Sequence, residues 1–194
     1  RTQCMASQHH LLGRETFLAP VRWDKGAWPV VNGDGQLFLD MDVPTLEQHA
    51  AAEKQTFWSF DEPLGPEWSY LRNPETDRYI IKDGKLSLYG SATPLRTYEG
   101  STTFVCYRQQ DQCFSAQTCV ELKNAKSGDE AGMSLYMETE AHYDIYLKKK
   151  GGKNYITLRY HLGLMEHTEE VPAGTSKVWL KVSGNYDTYF LHWS

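Results

Sequence analysis

Apolar and polar positions alternate through most of the second half of the chain. In Phe114-Ser115-Ala116-Gln117-Thr118-Cys119-Val120-Glu121-Leu122 the even positions are the apolar ones, and Val178, Leu180 and Val182 repeat the alternation. A period of two sends successive side chains to opposite faces of a strand, so each of these segments buries one face. Such segments recur at regular spacing from residue 57 onward, bounded by Gly, Pro, Asn or Asp. The pattern predicts strands at 56–61, 79–82, 85–89, 102–109, 114–124, 130–139, 142–149, 154–162, 165–171, 177–183 and 188–193. Many short strands without a convincing long helix predict an all-β fold, an antiparallel β-sandwich spanning residues 57–194.

The first part of the chain reads differently. Residues 16–23 and 28–31 predict two short strands joined by Asp24-Lys25-Gly26, which is good turn chemistry. A lone two-stranded hairpin is marginal in water, so residues 1–36 are expected to need a partner sheet. Residues 37–56 lack clear periodicity and read as a linker, with a helical turn expected at 46–54, where Ala, Glu and Gln dominate.

Composition supports strands over helices: aromatic residues make up 13% of the 194, with 12 Tyr and 6 Trp, and such residues favour pleated, half-buried surfaces. The net charge of −5 comes with no basic stripe, which argues against nucleic acid and anionic membranes as partners. No run of about 18 apolar residues is present to span a bilayer as a helix. The N-terminal RTQCMASQHH has no hydrophobic signal region, and the cellular compartment stays open among secreted, periplasmic and cytoplasmic.

The cysteines Cys4, Cys106, Cys113 and Cys119 form no C-x-x-C pair, so a thiolate metal site is not expected. Cys113 and Cys119 share one face of a single strand but stand roughly 20 Å apart at about 3.3 Å per residue, too far for a disulfide. Cys106 opposite either of them across a hairpin and three free thiols are both compatible with the sequence.

Two stretches carry a family resemblance. Leu12 to Asn32 contains Arg14-Glu15-Thr16, the alternating Phe17, Ala19, Val21 and Trp23, the Lys25-Gly26 turn and Trp28-Pro29. It resembles the end of the five-bladed propeller of glycoside hydrolase family 43, the β-xylosidase and α-L-arabinofuranosidase group. Phe60 to Pro74, Gly84 to Leu88, Phe104 to Gln109, Glu130 to Met133 and His142-Tyr143 resemble the concanavalin-A-like (jelly-roll-like) sandwich appended to those enzymes. The resemblance implies a propeller-remnant hairpin in 1–36, the linker at 37–56 and an accessory sandwich in 57–194. It also implies that the family module continues past Ser194, so an unpaired edge is expected, and Cys106 stands where the family would place a small residue.

The implied function is the C-terminal sandwich of an inverting glycosidase acting on xylan-derived or arabinose-containing oligosaccharides, with an architectural, pocket-closing role. Inverting glycosidases need two carboxylates about 6.5–9.5 Å apart. The family's catalytic motifs do not occur in this sequence, so no residue of the chain is expected to be catalytic. Arg14 matches the family Arg that points at substrate, where a fixed cation lowers carboxylate pKa values and donates forked hydrogen bonds to hydroxyls. Glu15 points to the opposite face. His9 and His10 face opposite ways on an extended segment and do not suggest a shared ligand site. No cofactor is required, and a structural calcium ion, though compatible, is not indicated; Glu138, Glu140 and His142 read as a solvated strand face rather than a calcium or acid–base cluster.

The implied partners are a carbohydrate and the propeller domain, with neither nucleic acid nor membrane. The alternative is a stand-alone carbohydrate-binding module, in which Trp58, Trp68, Tyr70, Trp179 or Trp193 would stack on sugar faces. Two or three coplanar rings on one open face would favour it, and a sequence does not show coplanarity. A lectin-like domain unrelated to hydrolysis is a third reading, weakened by the Arg14 strand.

Overall fold

The structure is a computed structural model that describes residues 16–33, 35–36, 38, 40–47, 49–50 and 56–194. The chain divides into two compact units, Arg1–Trp58 and Ser59–Ser194. In the first, β1 (Val21–Arg22) pairs antiparallel with β2 (Val30–Val31), with Val21 opposite Val31. Gly26 takes φ +81° in the intervening turn, and the Ala27 amide donates to the Asp24 carbonyl at 3.1 Å. The ladder is shorter than the predicted strand from Thr16, because Pro20 has no N–H to donate. The described residues of 46–54 contain no helix; Leu46 N–H closes a turn onto the Val43 carbonyl at 3.2 Å, and 51–55 lie outside the described residues.

The second unit is built from eleven strands. They are β3 (Trp68–Tyr70), β4 (Tyr79–Lys82), β5 (Lys85–Leu88), β6 (Val105–Tyr107), β7 (Cys113–Glu121), β8 (Glu130–Glu138), β9 (Ala141–Lys150), β10 (Lys153–Leu162), β11 (Met165–Pro172), β12 (Lys177–Asn185) and β13 (Thr188–Trp193). A four-stranded sheet runs β11-β10-β9-β8 and a three-stranded sheet β13-β12-β7, with β3-β6 and β4-β5 as small separate ladders. Every ladder is antiparallel. The expected strand at 56–61 is absent; Trp68–Tyr70 pairs with β6 instead.

Alternation decides which side chains meet between the two larger sheets. Ile145 and Leu147 of β9 and Ile156 of β10 share one buried cluster with Val178, Leu180 and Val182 of β12. Met133, Leu135, Phe114 and Leu191 extend it from the neighbouring strands. This is the sandwich core the alternation predicts. The β4–β5 hairpin turns on Asp83 (φ +53°) and Gly84 (φ +65°), the paired left-handed residues of a tight two-residue turn.

Gly132 of β8 has a separate role. It sits opposite Tyr146 of β9, and an added Cβ would stand 2.2 Å from the Ile145 carbonyl oxygen and 2.4 Å from the Tyr146 Cα. Both are backbone neighbours that cannot swing aside. Gly132→Ala is expected to destabilise the chain by about 1–3 kcal/mol in a urea or thermal melt, through overpacking. Gly90→Ala, at a position with nothing within 4 Å of the added Cβ, is expected to stay within about 0.5 kcal/mol of the parent. Leu180→Ala, at a side chain with 0% exposure, is expected to cost about 2–5 kcal/mol in the same measurement.

Candidate functional site

Two sheet faces point away from the core, and their chemistry differs. On the four-stranded sheet, the positions between the core residues bring polar side chains into register: Ser134 opposite Asp144 opposite Arg159, and Tyr136 opposite His142 opposite His161. His142 is 1% exposed, and its Nδ1 lies 3.0 Å from each Asp144 carboxylate oxygen. Ser134 Oγ donates to Asp144 Oδ1 at 2.7 Å, and Arg159 Nη1 stands 3.6 Å from Oδ2. Arg159 also donates to Glu130 at 2.8 Å and to the Tyr146 hydroxyl, and its guanidinium lies 4.7 Å from the Tyr146 ring centroid. Burial and the nearby Glu130 push the Tyr146 hydroxyl pKa well up.

The network continues to both ends of the face. Lys148 stands 3.6 Å from Glu130 and 3.2 Å from Glu170, which also takes Lys150 at 2.7 Å. Hydrogen bonds from these two lysines hold the Glu170 carboxyl pKa below its ordinary value. At the other end the His142 and His161 rings are 4.9 Å apart, and His161 Nδ1 is 3.4 Å from Glu166, which also pairs with Arg96 at 3.1 Å. Tyr136 stacks on His142 and meets Phe104, while Arg72 donates to Thr139 Oγ1 at 3.3 Å and to the Thr97 carbonyl.

These groups are committed to one another. Asp144, the most deeply buried carboxylate of the network, accepts from His142 and Ser134 and faces Arg159, so it cannot also take a proton from water or give one to a leaving group without breaking the layer. His142 therefore lies in a buried layer and not on the solvated face its spacing with Glu138 and Glu140 suggests, because residues 72, 97 and 104 reach over that end of the sheet. Among the described residues, no group of three or more His, Cys, Asp or Glu side chains is placed to hold a metal ion.

The outer face of the three-stranded sheet is open. Trp179 of β12 is 54% exposed and Phe190 of β13 is 46% exposed. Phe190 and His192 lie on the same side of β13, with ring planes within 22° and centroids 6.2 Å apart. Lys181 pairs with Gln117 and His192, and Ser183 with Ser115 and Phe190 across the three strands. Of the tryptophan and tyrosine candidates, Trp68 meets Tyr107 edge-on and Tyr70 meets Tyr79 edge-on. Trp193 is paired with Leu180 and so faces the core side. Of Trp68, Tyr70, Trp179 and Trp193, Trp179 stands on this outer face; Phe190 and His192 were not foreseen, although period two from Leu191 places both opposite the core.

Arg14, the expected substrate-binding residue, lies outside the described residues, as do Cys4, His9, His10 and Glu15. Cys106, Cys113 and Cys119 are free thiols, and burial raises the Cys106 pKa.

Comparison with known proteins fits this architecture. The family described as "Beta xylosidase C-terminal Concanavalin A-like domain" matches residues 54–194. The chain is similar to the non-reducing end alpha-L-arabinofuranosidase BoGH43B of Bacteroides ovatus, 33% identical over 92% of this chain and 34% of that protein. It is 31% identical to a xylosidase/arabinosidase of Butyrivibrio fibrisolvens over 73% of this chain and 28% of that one. Among solved structures it superposes on the GH43 protein BlXynB of Bacillus licheniformis with a TM-score of 0.80, at 27% identity, covering 94% of this chain and 36% of that one. The chain thus spans about a third of the length of the proteins it matches. With the matching sandwich, the paired antiparallel sheets and these relatives together, the chain belongs to glycoside hydrolase family 43 and carries that family's C-terminal concanavalin A-like domain.

Proposed function

We propose that the chain serves a family 43 glycosidase acting on xylan-derived or arabinose-containing oligosaccharides as its accessory sandwich, an architectural element that packs beside a catalytic propeller and helps close its pocket. The observation that carries this reading is the internal commitment of the polar layer: the buried carboxylate Asp144 is held by His142, Ser134 and Arg159, and Glu130 and Glu170 by Arg159 and two lysines. Inverting hydrolysis requires two free carboxylates about 6.5–9.5 Å apart with a water between them. A layer whose charges are spent on each other stiffens a sheet and supplies neither the acid nor the base.

The relatives named xylosidase and arabinosidase support the class of substrate. In this reading Arg14 is the one residue of the chain that reaches the substrate, as a fixed cation beside the catalytic carboxylates of the propeller. The residues of 1–36 belong with that propeller, 37–56 link it to the sandwich, and no cofactor takes part. Enclosing the pocket excludes water from the charged groups around the sugar and shapes the site for short substrates.

The purified chain is expected to show no turnover of aryl β-D-xylopyranoside or aryl α-L-arabinofuranoside above a heat-denatured control. Turnover that vanished on changing a carboxylate of this chain would place the chemistry here and overturn the reading. Added to a family 43 propeller domain lacking its own sandwich, the chain is expected to raise kcat/KM for aryl xyloside; no change would remove the pocket-closing role. Asp144→Asn is expected to lower stability by about 1–3 kcal/mol in a urea melt, because it takes the carboxylate shared by Ser134 and His142 out of the buried layer while Arg159 keeps Glu130.

A further inference from the structure

We propose that the outer face of the β7-β12-β13 sheet is a binding platform for an extended, neutral polysaccharide chain, with Trp179 and Phe190 as its two stacking rings. This goes beyond the architectural role and does not depend on it. The face is a solvent-facing side of a regular antiparallel sheet, so the positions of its side chains follow from the register. Phe190 pairs with Ser183, four residues along β12 from Trp179. The two rings are therefore separated by about 13 Å along the strands and about 4.8 Å across them. His192, paired with Lys181, lies at the intermediate level, with its ring nearly parallel to that of Phe190.

The chemistry between the rings suits a sugar better than a protein. A protein-binding patch centres on a closely packed, desolvated cluster of large side chains with a polar rim around it. Here the rings stand apart, and Gln117, Lys181, Ser115 and Ser183 occupy the rows around them. Among the described residues none of these four side chains, nor His192, has a hydrogen-bond or ion-pair partner within the protein, in contrast to the spent charges of the opposite sheet. Rings that cover the apolar C–H face of a sugar, flanked by uncommitted donors and acceptors at hydroxyl distance, form the pairing an amphipathic pyranose needs.

Charge selects the class of glycan. Lys181 is the one lysine in the rows between the rings, and Glu121 at the end of β7 faces Lys177 in register and pairs with Lys123 at 3.7 Å, so the face carries too little positive charge to hold a polyanion by electrostatics. The whole chain carries −5, which also disfavours acidic polysaccharides. A sheet face with its rings spaced along the strands, unlike a closed pocket, suits an internal stretch of an extended chain.

The test is native affinity electrophoresis of the whole 194-residue chain through gels containing soluble arabinoxylan, with dextran gels as control, and titration of its tryptophan fluorescence with xylohexaose. The chain is expected to be retarded by arabinoxylan and not by dextran. Trp179→Ala and Phe190→Ala are each expected to weaken binding about tenfold. Both should keep the parent's circular dichroism and melting temperature, since both side chains are about half exposed. Leu164→Ala, on a fully exposed hairpin tip of the other sheet, is expected to bind like the parent. Absence of retardation, equal retardation in dextran, or unchanged binding by both folded aromatic variants would each overturn the platform. Should either aromatic variant fail to fold, Lys181→Ala and Gln117→Ala provide the same reading, with a loss of about two- to fivefold expected from each.

Discussion

Strand β9 is buried on both of its faces, and that constraint organises the rest of the sandwich. Ile145 and Leu147 project into the apolar core, while His142, Asp144 and Tyr146 project the other way and are still buried. A strand in that position cannot leave a polar atom to water, because an unpaired buried charge costs several kcal/mol. Most polar groups on that side are tied to a neighbour: His142 Nδ1 within the strand and Ser134 across it to Asp144, and Arg159 to Glu130 and Tyr146, while His142 Nε2 has no hydrogen-bond partner among the described residues. Gly132 is part of the same arrangement. Its missing side chain lets β8 lie against the backbone at Ile145 and Tyr146, closer than any Cβ would allow.

The two larger sheets then divide the work. Apolar faces meet between them, where direction matters little and area decides. The outer side of the four-stranded sheet uses up its own charges, and residues from the segment before β7 cover one end of it, with Arg72 reaching Thr139 and Arg96 reaching Glu166. On the outer side of the three-stranded sheet, the large rings among the described strand residues are those of Trp179, Phe190 and His192, with Trp179 and Phe190 about half exposed.

Much of this was legible in the alternation. Val178, Leu180 and Val182 are the core positions of β12 as the period predicts, and the tight Asp83-Gly84 and Gly151-Gly152 turns fall where their residues call for left-handed backbone. What escaped were features that depend on another segment. Glu138, Glu140 and His142 look like any solvated face, yet Tyr136 stacks on His142, Phe104 meets Tyr136 and Arg72 reaches Thr139, and the last two are long-range placements that local patterning does not encode. Trp68-Ser69-Tyr70 lacks the length of a convincing strand and becomes one by pairing with Val105–Tyr107. The family could be read from its motifs, but Arg14, the residue that would join the chain to catalysis, falls outside the described residues.

A carboxylate held by a histidine, a hydroxyl and a guanidinium looks like catalytic machinery when its members are named one by one. Accessibility separates the two cases. A general acid must exchange protons with substrate and solvent, so its pKa is tuned while one oxygen stays free and reachable. Asp144 has its side chain 6% exposed, and His142 lies within hydrogen-bond reach of both of its oxygens. The same ionic groups that would drive chemistry at the mouth of a pocket thus act, inside a sheet, as a fixed scaffold. Family membership thus transfers the shape of the domain, while a role in chemistry has to be argued from the accessibility of particular groups.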